Sequence, residues 1–212
     1  DTAHIDQIEQ ALRWGVIDGV TTNPTHVSRT GADPDELYPK ICQMVDGPVS
    51  LGTIGTEADQ IVDEGKALDR IADNVVVKVP VMQEGLVAVK RLAAEGIATN
   101  VTTNFSAVQA LLAAKVGASY ISPFVGRLDA IGHDGMELVR QIRQIYGNYG
   151  YETEIIVAAV RHPLHVLEAA KIGADVCTMA FDVLEQLYHH PLTDLGIDQF
   201  LTDWAKVPQG KK

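Results

Sequence analysis

The sequence has few of the features that mark disulfide-stabilised, nucleic-acid-binding or membrane proteins. Among 212 residues there are 2 cysteines, Cys42 and Cys177. Both lie in apolar contexts, which predicts buried thiols in a reducing compartment and leaves a disulfide unsupported. Basic residues number 17 against 28 acidic ones, giving a net charge of −11. With no block of Lys and Arg along the chain, the composition argues against a nucleic-acid footprint and against a polybasic membrane patch.

Membrane segments, metal motifs and nucleotide motifs are also missing from the sequence. No apolar run approaches the roughly 20 residues that span a bilayer, and the first residues lack a signal-peptide pattern, so we expect a cytoplasmic protein. The 7 histidines include no HxH or HExxH spacing, and no glycine-rich phosphate loop follows a strand. His162 and His165 stand three residues apart at a helix start, where a capped or solvated helix face explains them better than a metal does. We therefore predict neither a metal nor a nucleotide cofactor.

Short apolar runs alternate with helical periodicity along the whole chain. Glycines end several helical stretches, at Gly96, Gly117 and Gly173, where a helix C-terminus favours glycine. The apolar runs are Ile17–Thr22, Pro48–Ile54, Asn74–Val79, Ile97–Thr103, Ser119–Phe124, Glu154–Val160 and Asp175–Ala180.

Alternating strands and helices predict a parallel sheet with right-handed crossovers, either an open doubly wound sheet or a closed (β/α)₈ barrel. We predict a single (β/α)₈ TIM-barrel domain over residues 1–212. Since only seven runs are visible, we expect the first strand, with four or five apolar residues, to precede Asp1. A C-terminal helix is predicted at about 193–206. Its apolar stripe over 195–204 suits contact with a neighbouring subunit or packing on its own barrel.

Lys78 is the residue that best points to chemistry. It lies in the run Asn74-Val75-Val76-Val77-Lys78-Val79-Pro80, which reads as a strand buried on both faces. Burial disfavours the ammonium form and lowers the pKa of a lysine. A neutral amine attacks carbonyl carbons, as Schiff-base catalysis requires. The alternative is a strand-end lysine whose head reaches water or meets a carboxylate.

Polar residues recur where the predicted strands end, which is the rim that carries the active site of a (β/α)₈ barrel. Each has an ordinary structural explanation, since Thr favours strands and Asn-Pro favours turns. Together they outline one site. The rim residues are Thr21, Thr22, Asn23, Lys78, Asn100, Thr102, Thr103, Asn104, Ser122, Arg127 and Arg161.

These residues lie in motifs that resemble the small transaldolase family, which also contains the fructose-6-phosphate aldolases. The resemblance covers essentially the whole chain, with the motifs in family order. The most specific are Asp1-Thr2-Ala3, Gly19-Val20-Thr21-Thr22-Asn23-Pro24, Val76-Val77-Lys78-Val79-Pro80, Thr99-Asn100-Val101-Thr102, Ser122-Pro123-Phe124-Val125-Gly126-Arg127 and His190-Pro191-Leu192-Thr193-Asp194.

The resemblance implies catalytic roles for residues on this rim. Lys78 corresponds to the lysine that forms a Schiff base with a ketose and holds its dihydroxyacetone fragment. Asp1 corresponds to the aspartate that exchanges protons with the substrate hydroxyl. Asn23 and Asn100 correspond to residues that hydrogen-bond the dihydroxyacetone hydroxyls, and Thr102 to the threonine that positions the water for imine formation and hydrolysis.

The resemblance also implies how the substrate is bound. Ser122, Arg127 and Arg161 correspond to positions that bind the sugar phosphate, and Thr21 is a further substrate-binding candidate. Phe124 corresponds to a position that tends to be Phe in transaldolases and Tyr in the aldolases. Phe124 therefore favours transfer of the fragment over release of free dihydroxyacetone.

Departures from the family pattern keep alternatives open. Gly52 stands where a Glu or Gln usually assists the catalytic water, and Ala159 replaces a phosphate-binding Ser. His26 replaces a usual aliphatic residue. The alternatives to transaldolase activity are an aldolase that releases free dihydroxyacetone, an enzyme for another anionic ketose such as a sulfonated one, and a barrel that binds sugar phosphate with reduced or no turnover.

The resemblance implies an enzyme of carbohydrate metabolism, in the pentose phosphate pathway. Such enzymes need no cofactor or metal, because the lysine itself accepts the electrons. Small members of the family assemble as pentamers or as decamers of two rings, with the C-terminal helix reaching a neighbour. We therefore expect a homo-oligomer.

Overall fold

Seven parallel strands lie side by side in the computed structural model, which describes residues 1–208, and their spatial order follows the chain order. A doubly wound sheet requires that order to reverse at one point, so this uninterrupted order confirms the barrel prediction. The strands are β1 (Val20–Thr21), β2 (Val49–Gly52), β3 (Val75–Pro80), β4 (Thr99–Asn104), β5 (Tyr120–Pro123), β6 (Glu154–Val160) and β7 (Val176–Met179).

Helices connect every consecutive pair of strands. The periodicity did not predict α2, α3, α7 and α10. Helices α2, α7 and α10 have 7, 5 and 6 residues, too few for a repeating apolar face, and α3 has a proline, Pro39, in its interior. The helices are α1 (Ile5–Trp14), α2 (Pro24–Thr30), α3 (Pro34–Met44), α4 (Ala58–Asp69), α5 (Gln83–Ala94), α6 (Ala107–Lys115), α7 (Val125–Asp129), α8 (Gly135–Tyr149), α9 (Pro163–Ile172), α10 (Phe181–Gln186) and α11 (Pro191–Trp204).

The barrel is nearly closed, with a gap between β1 and β7. Asp1 and Thr2 lie in it: the amino group of Asp1 donates to the carbonyl of Met179 at 2.7 Å, and the amide of Thr2 donates to the carbonyl of Thr21 at 3.1 Å. A cavity of about 250 Å³ runs along the gap and is lined in part by Asp1, Thr21 and Cys177, but not by Lys78, Arg127 or Arg161. The strand expected before Asp1 stays a prediction.

The core is divided into two apolar clusters. The smaller one joins α1 to α3, β1, β2 and Val75 at the start of β3, and Ile8, Ile41 and Leu51 are among its most buried residues. The larger one joins the rest of β3 and β4 to β6 with helices α4 to α10. Partly buried Leu68 of α4 packs against both clusters, so the boundary between them lies within β3.

Helix α11 covers most of the range 193–206 that the sequence predicted to be helical. None of its residues is buried, and exposed fractions reach 74 % at Phe200 and 65 % at Trp204. The packing of its apolar stripe on the chain's own barrel is therefore not observed in the part of the chain that the structure describes.

Cys42 and Cys177 are both free thiols, the first buried and the second half-buried. Among the described helices, none is long and apolar enough to cross a membrane.

Asn74 fixes the entry to β3. Its side-chain nitrogen donates to the carbonyls of Cys42, Val45 and Gly47 at 3.1, 2.7 and 3.0 Å. One amide group thereby satisfies the end of α3 and the loop that leads to β2.

Replacing Asn74 by Ala should lower the free energy of unfolding by about 1–3 kcal/mol, because three carbonyls lose their donor. The matched control is Asp73→Ala at the exposed neighbouring position, which should change stability by no more than about 0.5 kcal/mol. Urea denaturation of the three proteins measures both effects. Equal stability of the two variants would contradict the role assigned to Asn74.

Candidate active site

Lys78 lies near the carboxyl end of β3, between Gly52 of β2 and Asn100 of β4 in the sheet register. Its side chain is 5 % exposed, and its Nζ donates to the carbonyl of Thr22 at 3.1 Å. None of the salt bridges within residues 1–208 includes Lys78. Burial lowers the pKa of Lys78 from 10.5 to about 8. The alternative of a lysine that reaches water or meets a carboxylate is not observed.

The Asp1 carboxylate is held by two side chains. Its Oδ1 accepts a hydrogen bond from Thr21 Oγ1 at 3.0 Å, and its Oδ2 lies 3.2 Å from Nε2 of His26. The hydroxyl hydrogen of Thr21 is used in the hydrogen bond to Asp1. In its 2.6 Å contact with Thr178, Thr21 is therefore the acceptor and the Thr178 hydroxyl is the donor. Thr21 neighbours Thr22, whose carbonyl accepts from Lys78, so the carboxylate and the amine belong to one site.

Three polar side chains form a buried network across β2, β4 and β5. Asn100 donates to Ser50 Oγ at 3.1 Å, and Ser122 Oγ donates to Asn100 Oδ1 at 2.7 Å. All three residues are at most 3 % exposed. The hydroxyl of Ser122, which we expected at the anion site, here fixes the amide of Asn100.

Asn23 and Thr102 differ in how their polar atoms are used. Asn23 Oδ1 caps α2 by accepting from the amide of His26 at 2.9 Å, which leaves its side-chain nitrogen as the group able to bind a hydroxyl. Thr102 Oγ1 is buried and has no hydrogen-bond partner among residues 1–208. Thr102 pairs in register with Pro80, two residues beyond Lys78. A water held by this hydroxyl would therefore lie close to the amine.

Arg127 and Arg161 stand on neighbouring segments of the rim. Arg127 belongs to α7, and its Cζ lies 5.7 Å from the centroid of the Phe124 ring. Arg161 follows β6, and its Cγ lies 2.6 Å from the point where a side chain at Gly126 would begin. Both arginines are exposed, and neither takes part in a salt bridge within the described chain. Two uncompensated guanidiniums at one rim suit an oxyanion.

His165 connects the two arginine-bearing segments, a role that the sequence did not reveal. Its Nδ1 accepts from the backbone amide of Arg161 at 3.2 Å, and its Nε2 lies 2.8 Å from Oδ2 of Asp129. Burial and nearby His162 lower the pKa of His165 despite the Asp129 carboxylate, so the neutral ring carries its proton on Nε2. The three-residue spacing of the histidines was visible, but the carboxylate that contacts His165 comes from α7.

The backbone is strained at two points on the same rim. Thr103 and Ala159 adopt left-handed conformations with φ of 59° and 56°, and the strand register shifts beside each of them. Such strain is stored where surrounding structure enforces it, often at functional sites. A Cβ at Gly126 would lie 2.2 Å from the carbonyl oxygen of Ala159, so only glycine lets α7 approach β6 this closely.

No group of three or more His, Cys, Asp or Glu side chains within residues 1–208 is arranged to hold a metal ion. The chemistry that the described residues offer is a desolvated amine, a carboxylate, a free hydroxyl and two guanidiniums on one rim.

Comparison with known proteins adds to this geometry. Residues 1–209 match the sequence model of the family described as "Transaldolase/Fructose-6-phosphate aldolase". The chain is 60 % identical over 208 residues to a "Probable transaldolase" of Hydrogenobaculum sp., covering 98 % of this chain and 96 % of that one. It is 57 % identical over 209 residues to a "Probable transaldolase" of Aquifex aeolicus, covering 99 % and 96 %.

A solved structure shows likeness of the fold alone. Inosine 5' monophosphate dehydrogenase from Legionella pneumophila superposes with a TM-score of 0.53 at 14 % identity, over 79 % of this chain and 58 % of that one.

The burial of Lys78 predicts a stability cost. Below about pH 8 Lys78 is protonated in both the folded and the unfolded protein, so folding must bury its charge. The lowered pKa corresponds to a loss of about 3 kcal/mol in the free energy of unfolding at such pH. Lys78→Met should therefore raise the free energy of unfolding by roughly this amount at pH 7. Above about pH 8 the folded lysine is neutral while the unfolded lysine keeps its proton until about pH 10.5. The free energy needed to release that proton falls as pH rises, so the advantage of the variant should shrink over that range.

Urea denaturation of both proteins at pH 7 and pH 9.5 measures this difference. Lys115→Met, at an exposed position on α6, is the control and should show no comparable dependence on pH. A Lys78→Met protein that is less stable than the parent at pH 7 would contradict the desolvation of the amine.

Proposed function

The chain belongs to the transaldolase/fructose-6-phosphate aldolase family, and on this premise we propose that it is a transaldolase acting through a Schiff base on Lys78. It moves a dihydroxyacetone unit from an anionic ketose, a sugar phosphate or a similar sugar, to an aldehyde. The observation that carries the proposal is an amine that is 5 % exposed with a pKa lowered to about 8. With that pKa about a tenth of the amine is neutral and nucleophilic at pH 7, against less than about a thousandth for a lysine of ordinary pKa.

The first half of the reaction loads the lysine. The neutral amine attacks the ketose carbonyl, and the carbonyl oxygen, taking up a proton from solvent, leaves as water to give an iminium ion. The bond between the α and β carbons of the iminium ion then breaks, and its electron pair moves towards the iminium nitrogen to form an enamine. The hydroxyl proton of the departing fragment moves to Asp1, and that fragment leaves as an aldehyde.

The second half reverses these steps with a different aldehyde. The enamine carbon attacks the acceptor carbonyl, the new alkoxide takes the proton back from Asp1, and water hydrolyses the iminium. The buried Thr102 hydroxyl, without a partner among residues 1–208, supports its assignment to hold that water. Asn100 and the side-chain nitrogen of Asn23 are assigned to the hydroxyls of the dihydroxyacetone unit.

The anionic end of the sugar is assigned to Arg127 and Arg161. Their exposed guanidiniums form paired, charge-assisted hydrogen bonds with a tetrahedral oxyanion. Ala159 brings no hydroxyl to this site, and Gly52 brings no carboxylate beside Lys78. These departures favour a specialised ketose, for which both phosphate and sulfonate remain suitable anions. Phe124 has no hydroxyl with which to protonate the enamine, which favours transfer over release of free dihydroxyacetone.

We also propose a cytoplasmic homo-oligomer, a pentamer or a decamer, without nucleic-acid or membrane partners. Helix α11 supports this assembly, since none of its residues is buried and its apolar side chains are exposed. Exposure of Leu195, Phe200 and Trp204 together on one helix is unfavourable for an isolated chain, because it leaves a contiguous apolar surface in water. A second copy of the chain would remove this surface from water.

Borohydride should trap the dihydroxyacetone fragment on Lys78. We expect intact mass to rise by the reduced three-carbon unit when the protein is treated with fructose 6-phosphate and borohydride, because reduction makes the imine permanent. Lys78→Met should show no such gain, whereas Lys115→Met should be labelled as the parent is. Peptide mapping locates the modified residue.

The same preparation separates transfer from release. With donor alone, a transaldolase accumulates little free dihydroxyacetone, and adding glyceraldehyde 3-phosphate or another anionic aldehyde should start turnover. Continuous release of dihydroxyacetone without acceptor would instead identify the aldolase. If no phosphorylated or sulfonated ketose labels Lys78, the proposed function is wrong.

The assembly is tested by charges on α11. Phe200→Asp combined with Leu201→Asp should reduce the mass in solution from that of a multimer to that of smaller species, as measured by light scattering after size exclusion. Ile131→Asp, at a position 69 % exposed outside α11, should leave the mass unchanged. An unchanged mass in the double variant, or a monomeric parent protein, would contradict the assembly.

A further inference from the structure

His26 lies against the carboxylate of Asp1 in the candidate active site. It is the third residue of α2, whose first turn is fixed by Asn23 and Pro24. Its Nε2 lies 3.2 Å from Oδ2 of Asp1, and its side chain is 19 % exposed. The imidazole and Thr21 thus contact the two different oxygens of one carboxylate.

The burial and the charges around His26 favour a neutral ring beside the carboxylate. The groups that face it are the carboxylate and the amino group of Asp1, Lys78 from β3 and Arg29 from its own helix. Burial is the largest cause that lowers the pKa of His26 to about 4, ahead of the nearby positive groups. Above that pH the ring is neutral, and a proton on Nε2 would lie between the ring and Oδ2 of Asp1, 3.2 Å away.

The absence of a side chain at Gly52 leaves room for the first residue of α2 beside β2. A Cβ on Gly52 would lie 3.2 Å from Cδ of Pro24, the first residue of α2, which is closer than ordinary contact. Gly52 also pairs in register with Lys78. Gly52 therefore adjoins Lys78 in the sheet and the first residue of the helix that carries His26.

We propose that His26 is a positioning residue that orients the Asp1 carboxylate by a hydrogen bond to Oδ2 and stabilises its ionised form for proton exchange with the substrate hydroxyl. The inference rests on the proposed function, because it assigns a partner to the group that takes the hydroxyl proton. The balance of the reaction is unchanged: the proton still moves between the substrate oxygen and Asp1, and His26 keeps its own.

The consequence is a specific change in pH dependence. A carboxylate that loses a donor is easier to protonate, so the acidic limb of the rate profile should move to higher pH without His26. Binding of the ketose and formation of the imine involve Lys78 and the arginines. These steps should be little affected.

The experiment compares His26→Leu, which cannot donate, with His26→Gln, whose side-chain nitrogen can take the place of Nε2. We expect His26→Leu to lower kcat about 10- to 100-fold, the loss expected for a hydrogen bond to a charged group. KM should stay within about twofold, and the acidic limb should move to higher pH. His26→Gln should recover most of the rate and the original acidic limb. His133→Leu, at an exposed histidine, controls for loss of an imidazole elsewhere.

Borohydride trapping with donor accompanies each variant. His26→Leu should still label Lys78 to the parent level, because the imine forms before Asp1 acts. Three results would overturn the inference: a parent-like rate and pH profile in His26→Leu, equal loss in the Leu and Gln variants, or loss of trapping in His26→Leu. If the parent protein itself is never labelled, the failure lies with the proposed function instead.

Discussion

The site depends on the removal of one ammonium group from water. Lys78 is buried within β3, and its Nζ donates to the carbonyl oxygen of Thr22, just after β1. A carboxylate within bonding distance would stabilise the charge and make the amine a poor nucleophile. The surrounding structure keeps the carboxylate of Asp1 occupied by Thr21 and His26 instead. The arrangement thus holds acid–base and nucleophilic groups near each other without letting them neutralise one another.

Much of the barrel could be predicted from the sequence because parallel strands buried on both faces leave a strong local signal. Each of the seven apolar runs overlaps one observed strand, with β3 and β4 ending one residue beyond their runs, and Lys78 stood out because a charge interrupts such a run. The extent of β1 was overestimated: only Val20 and Thr21 form the strand. Its ladder has one partner, β2, along this part of the sheet, so Ile17 to Gly19 are not held in extended pairing.

Side-chain partners from distant elements could not be predicted in the same way. The contact of His26 with Asp1 and that of His165 with Asp129 join residues on different helices and loops, and no spacing rule connects them. Ser122 was expected to face an anion, yet its hydroxyl is buried and donates to Asn100. The position of a residue at a strand end predicts the rim it belongs to, but not whether its polar atom faces the pocket or the barrel interior.

The division of the core into two clusters has a consequence for motion. Asp1 and His26 adjoin Ala3 and Val27 of the smaller cluster, whereas Lys78 lies between Val77 and Val79 of the larger one. Clusters of this kind often open as separate cooperative units before the whole molecule unfolds. A brief separation of the two clusters would move the proton acceptor away from the nucleophile while each cluster kept its own packing. Catalytic competence would then be lost at a lower temperature than helical structure.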